Sequence, residues 1–131
     1  MNTSSTTHTP TRHPAATAVG WLAVVGVVGA VFMSLAHLDV GVPFLEVGRV
    51  VLPVAIGLAV GAVLYAVVAY GAFSQASWAW PAALIVNGIA LAATAGPPFR
   101  GAFELVPIAV SLVAIGILVS RPGRDALLHR T

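Results

Sequence analysis

Very few residues in this sequence have side chains suited to chemistry, and most of them gather near one boundary. His37, Asp39, Glu46, Arg49, Arg100 and Glu104 fall in or beside two polar breaks between apolar stretches. A histidine with three carboxylates offers the donors a Zn²⁺-like ion takes. The close ligand repeat of a metal motif such as HExxH is missing, however. Glu46 and Arg49 are three apart and Arg100 and Glu104 four apart, spacings that pair opposite charges on a helix. Pairing in this way consumes both arginines and two acids, so no metal and no cofactor is expected. The second group is uncharged: Asn87, Ser111 and Tyr65 each lie well inside an apolar stretch. An amide there seeks an interhelical hydrogen bond, and Asn87 is expected to bond to Ser111, Tyr65 or a backbone carbonyl.

Composition removes most other activities. The chain has no Cys, which excludes disulfides, thiolate metal sites and Cys nucleophiles. Its six basic residues are all Arg, and with four acids they leave a net charge of +2, too sparse for a nucleic-acid surface. No ionisable residue sits in the middle of an apolar stretch. Proton-coupled export, intramembrane proteolysis and haem ligation all need such a residue at depth. The chain is therefore not expected to be an enzyme.

These groups must be held by elements that suit an unusual solvent. Of 131 residues, 59% are hydrophobic and only 8% charged, where a soluble domain carries about 25% charged. Crossing about 30 Å of hydrocarbon takes roughly 20 apolar residues in a helix. Four stretches qualify, 18–36, 50–72, 80–95 and 103–120, the third being the shortest and interrupted by Asn87 and Gly88. The fold expected is an all-α integral membrane protein, a four-transmembrane-helix bundle running up-down-up-down. Residues 1–16, rich in Ser and Thr, read as a disordered cytoplasmic tail. Residues 17–120 form the transmembrane domain, and 121–131 a short basic cytoplasmic tail. The first apolar run exceeds the roughly 7–15 residues of a cleaved leader, so it reads as a retained helix. The stretch 38–48, with Val42, Phe44, Leu45 and Val47, is too short to span and reads as a loop against the bundle.

Arginine near the span ends sets direction. Arg12, Arg121, Arg124 and Arg130 share the side of the termini, against Arg49 and Arg100 opposite, so both termini are expected in the cytoplasm. Tyr70, Phe73, Trp78 and Trp80 mark the second turn as an aromatic belt at headgroup level.

Inside lipid, close packing rather than apolarity brings helices together. Pro53, Gly57, Gly61, Tyr65 and Ala69 repeat every four residues, and Gly57 and Gly61 form a GxxxG pair. Gly26, between Ala23 and Ala30, gives the first span a small face, and Gly116 with Ala109 gives one to the fourth. Gly57, Gly61, Gly26 and Gly116 are the expected helix-packing residues. The function these features suggest is non-catalytic: a small membrane protein in the lipid bilayer that packs with itself as a homo-oligomer or with a larger membrane partner. The alternative is a small oligomeric channel or transporter with Asn87 near the pathway.

Overall fold

A computed structural model describes residues 13–38, 52–94 and 105–128, and all of its regular structure there is helical. The elements are α1 (Pro14–His37), α2 (Leu52–Phe73), α3 (Ala79–Thr94), α4 (Leu105–Val119) and α5 (Arg121–Leu128). The N-terminal residues 1–12, the stretch 39–51 with its apolar loop segment, and residues 95–104 lie outside the described residues. Asp39, Glu46, Arg49, Arg100 and Glu104 lie outside them as well.

Length decides what each helix can do. At 1.5 Å per residue α1 and α2 reach about 36 and 33 Å, enough to cross a hydrocarbon core of about 30 Å. Both are long and apolar enough to cross a membrane. α3, with 16 residues, reaches only about 24 Å. α4 qualifies only when joined to α5, and the two are bent by 74° at their junction. Two helices, or three if the bent pair counts as one, thus have the length and composition of a membrane span, which marks this as a membrane protein.

Helix α1 begins at Pro14, four residues before the expected start of the span. Proline at the first helical position gives up an N–H that has no partner there anyway, and Ala16 is already buried in the core. α1 and α2 are antiparallel. Ser34 Oγ donates to Ala55 O at 2.8 Å near one end, and the Phe73 ring covers Gly20 near the other. α3 runs back along α4, and the Trp80 indole N–H donates to Leu118 O at 2.9 Å.

The α2–α3 turn closes as a Schellman motif, in which the Ala76 N–H bonds to Gly71 O and the Gln75 N–H to Ala72 O. Gln75 takes the left-handed position, with φ 55°, that glycine normally fills. Its Nε2 is buried without a hydrogen-bond partner among the described residues.

The stretch after Ser120, expected as a tail, forms α5. Ser120 caps it: its backbone carbonyl accepts the Arg124 N–H at 3.0 Å, and its hydroxyl accepts the Gly123 N–H at 3.3 Å. Gly123, Ala126 and Leu127 are buried and the residues between them exposed. The small inner face packs against α1, α3 and α4. Leu118 O lies in the last turn of α4, where carbonyls lose their donors from the same helix, and the Trp80 indole N–H supplies one.

The core is concentrated at this end. Ala16, Val19, Val68, Ala72, Leu118 and Leu127 belong to one buried cluster. Phe73 and Trp21 meet edge to face there, with ring centroids 5.8 Å apart. Phe73, Trp78 and Trp80, read from sequence as belt residues, thus also make contacts inside the chain, with Gly20, Gly71 and Leu118 respectively. Tyr70 is exposed.

Candidate functional site: an apolar cavity and its polar floor

Away from the closed end the helices separate around a cavity of about 440 Å³. Each of the four longer helices contributes a wall: Gly29 from α1, Gly61 from α2, Ile89 from α3 and Val110 from α4. Glycine makes this space. Among the described residues, a Cβ added at Gly29, Gly57 or Gly61 would meet nothing within 4 Å beyond its own helix backbone.

The small-residue stripe of α2 therefore has two regimes. Tyr65 packs its ring on Gly26, where an added Cβ would lie 2.8 Å from the ring. Ala69, one turn on, is buried in the core. Gly57 and Gly61 lie in the opposite direction and border the cavity. Within the single chain the close approach expected of the glycines is made at Gly26, while Gly57 and Gly61 line open space. The physical reason is that the stripe faces the centre of four helices rather than one neighbour. Gly116 is exposed, with nothing near a Cβ placed on it, so it packs on no other helix among the described residues.

Beside the cavity floor lies the uncharged polar group. Asn87 is 3% exposed. Its Nδ2 donates to Ala83 O at 2.8 Å, one turn back on α3. The Tyr65 hydroxyl lies 3.5 Å from Asn87 Oδ1, a long hydrogen bond between α2 and α3. Two of the expected partners, a backbone carbonyl and Tyr65, are thus in place. Ser111 is buried, but its hydroxyl has no partner among the described residues, so it does not join Asn87. Tyr65 lines the cavity and Asn87 stands behind it.

Sequence reasoning named Tyr65, Asn87 and the glycines but missed Thr94 and the cavity itself. Thr94 is the other polar side chain on the wall, and its hydroxyl is turned to Ala90 O and Leu91 O of its own helix. The only sequence signal for the cavity is that Gly29, Gly57 and Gly61 lack side chains that would fill the interior.

His37 donates from Nδ1 to Met33 O at 2.8 Å, a bond within α1. Among the described residues no three His, Asp or Glu side chains come together. The chain, compared with known family models, curated proteins and solved structures, matches none of them.

Proposed function

We propose that α1 to α4 all lie in the bilayer as an up-down-up-down four-helix bundle, with both termini cytoplasmic. We propose further that the protein acts without catalysis, by packing with itself or with a larger membrane partner. The observation that carries this reading is the kind of surface the helices present. Ile56, Val60, Val63 and Val67 form an exposed apolar ridge along α2, and the buried polar side chains of α1, α3 and α4 are Ser34, Asn87 and Ser111, none ionisable. Such helices offer lipid or another helix a contact surface, and no charged side chain is among their buried polar groups. The short α3 fits inside a bundle because longer neighbours can shelter its ends and local thinning costs little.

In-cell crosslinking followed by native mass spectrometry of the purified membrane fraction tests this. The expected species is a defined complex heavier than one chain. A lone chain with no crosslinked partner would overturn the interaction role.

The second reading, a small oligomeric channel or transporter, draws support from a cavity that reaches Tyr65 beside Asn87. Flux through proteoliposomes that falls in Asn87→Leu would favour it over packing. The apolar wall weighs against it, because ions crossing there would find few oxygens to replace their water.

A further inference from the structure

Charge is divided unevenly between the two ends of the bundle. Arg12, Arg121, Arg124 and Arg130 fall in or beside the segments that meet at the closed end, and Asp125 is the one acidic residue there. Asp39, Glu46 and Glu104, the other three acids, fall in the connections at the opposite end. Residues 1–12 and 129–131, which continue the chain from the closed end, add arginine and histidine but no Asp or Glu. The side chains of this protein therefore leave the closed end positive, and an anion from outside the chain supplies the balance.

Helix α5 presents two of these arginines outward. Gly123, Ala126 and Leu127 are buried, while Arg121, Arg124 and Leu128 are exposed. Arg124 and Leu128 are four apart and share one flank of the helix. Asp125 is exposed as well, four residues from Arg121, so the outer side carries two positive charges against one negative.

The aromatic residues give the level at which α5 sits. Trp21, Tyr70 and Trp78 are exposed, and they stand near the ends of α1, α2 and α3 where α5 docks. Such rings settle at the headgroup layer. α5 leaves α4 at 74°, so with α4 crossing the bilayer it lies close to the membrane plane. The headgroup layer is roughly 5–8 Å deep on each side and a helix about 10 Å across, so α5 fills it. An arginine there reaches a phosphate with its guanidinium while its stem stays along apolar surface.

We propose that α5 is a headgroup-binding helix, in which Arg121 and Arg124 hold the phosphates of anionic phospholipids. A zwitterionic lipid carries its own cation beside the phosphate, whereas an anionic one leaves that charge for the protein to meet, so the site selects by charge. The guanidinium adds a fork of donors matched to phosphate oxygens. A bound headgroup holds α5 from its outer side while Leu127, buried in the core, holds it from within. Anionic lipid thus helps to keep the closed end shut. This inference rests on the membrane placement proposed above and adds a ligand class and a site to it.

The test equilibrates the full chain in detergent micelles with equal amounts of phosphatidylglycerol and phosphatidylcholine and counts the lipid retained by native mass spectrometry. An arginine near an anionic surface gains about fivefold in binding, so the first lipid retained is expected to be phosphatidylglycerol by about fivefold or more. In Arg121→Gln/Arg124→Gln this ratio falls toward one, whereas Arg49→Gln/Arg100→Gln, at the opposite end, keeps it. Equal retention of the two lipids by the unmodified chain overturns the proposal. So does a preference undiminished in Arg121→Gln/Arg124→Gln, or one lost equally in the control. Added salt should lower the preference of the unmodified chain, and a preference indifferent to salt overturns the proposal even if the double variant fails to fold. A dimer that the same double substitution abolishes would assign these arginines to a second copy instead and also overturn it. Failure of the chain to partition into phosphatidylcholine vesicles would refute the membrane placement itself, whereas partition there without a phosphatidylglycerol preference would refute only the headgroup site.

Discussion

Gly123→Ala is the sharpest perturbation the fold allows. A Cβ at this position would collide with Ile117 O and would lie 2.8 Å from the Ile117 carbonyl carbon and 3.2 Å from Leu118 Cα. All three are backbone atoms at the end of α4, so no rotamer change relieves the clash. The cheapest escape is for α5 to swing away from α4. Undocking uncovers Leu127, which is 1% exposed, and Ala126. Burying a leucine is worth about 1.5–3 kcal/mol and a single methyl about 0.8 kcal/mol, a loss of about 3 kcal/mol together. Alanine returns up to about 1 kcal/mol in helix propensity, leaving a net loss of about 2 kcal/mol. For a chain of this size that lowers the melting temperature by about 6–10 °C. The assay is thermal unfolding in detergent followed by tryptophan fluorescence, with Gly116→Ala as control because nothing lies near a Cβ there. Maleimide labelling of Ala126→Cys gives a second readout, protected in the parent and reactive once Gly123 is replaced. If Gly123→Ala melts with the control and Cys labelling stays slow, α5 is not held by the close approach at Gly123, and the reasoning fails.

Other perturbations probe separate contacts. Trp80→Phe removes the donor to Leu118 O and should cost about 1 kcal/mol, seen as a lower melting temperature, and an unchanged melt would refute a stabilising role for that bond. Gln75→Gly relieves a left-handed residue, worth about 1 kcal/mol, and should raise the melting temperature by a few degrees, an unchanged melt counting against strain there. Gly26→Ala pushes a methyl against the Tyr65 ring and should destabilise by about 1–3 kcal/mol, whereas Gly57→Ala should be neutral or stabilising; equal melts for the two would erase the distinction between packed and cavity-lining glycines. For topology, cysteines at Thr6 and Leu128 should stay unlabelled by an impermeant reagent outside intact cells while one at Val42 is labelled, and labelling at Thr6 but not Leu128 would mean an odd number of spans.

Helix positions were legible because hydrocarbon thickness imposes a length that apolar runs reveal directly. α2 and α3 fall within two residues of the expected ends at every boundary. Residues 121–128 were not legible as a helix. Arg-Pro-Gly reads as a stop, and the small inner face of Gly123, Ala126 and Leu127 repeats over too few turns to register as a period. The glycines of α2 were legible as important but not as open. A missing side chain permits either a close neighbour or an unfilled space, and only the direction of the Tyr65 ring and the spread of the helices separate the two outcomes. Asn87 was readable because an amide at depth has few choices, and it takes two of the three foreseen.

Chain order gives the α5 dock a consequence in time. Ala16 and Val19 leave the ribosome early, yet their cluster includes Leu127, which leaves after all four longer helices have been made. Vectorial synthesis therefore cannot finish the closed end as it goes: the first helix waits, its inner face uncovered, until the last one arrives. During that interval the nascent protein presents an unsealed base to chaperones and membrane proteases. Docking of α5 then closes that end only after the helices it seals have been made.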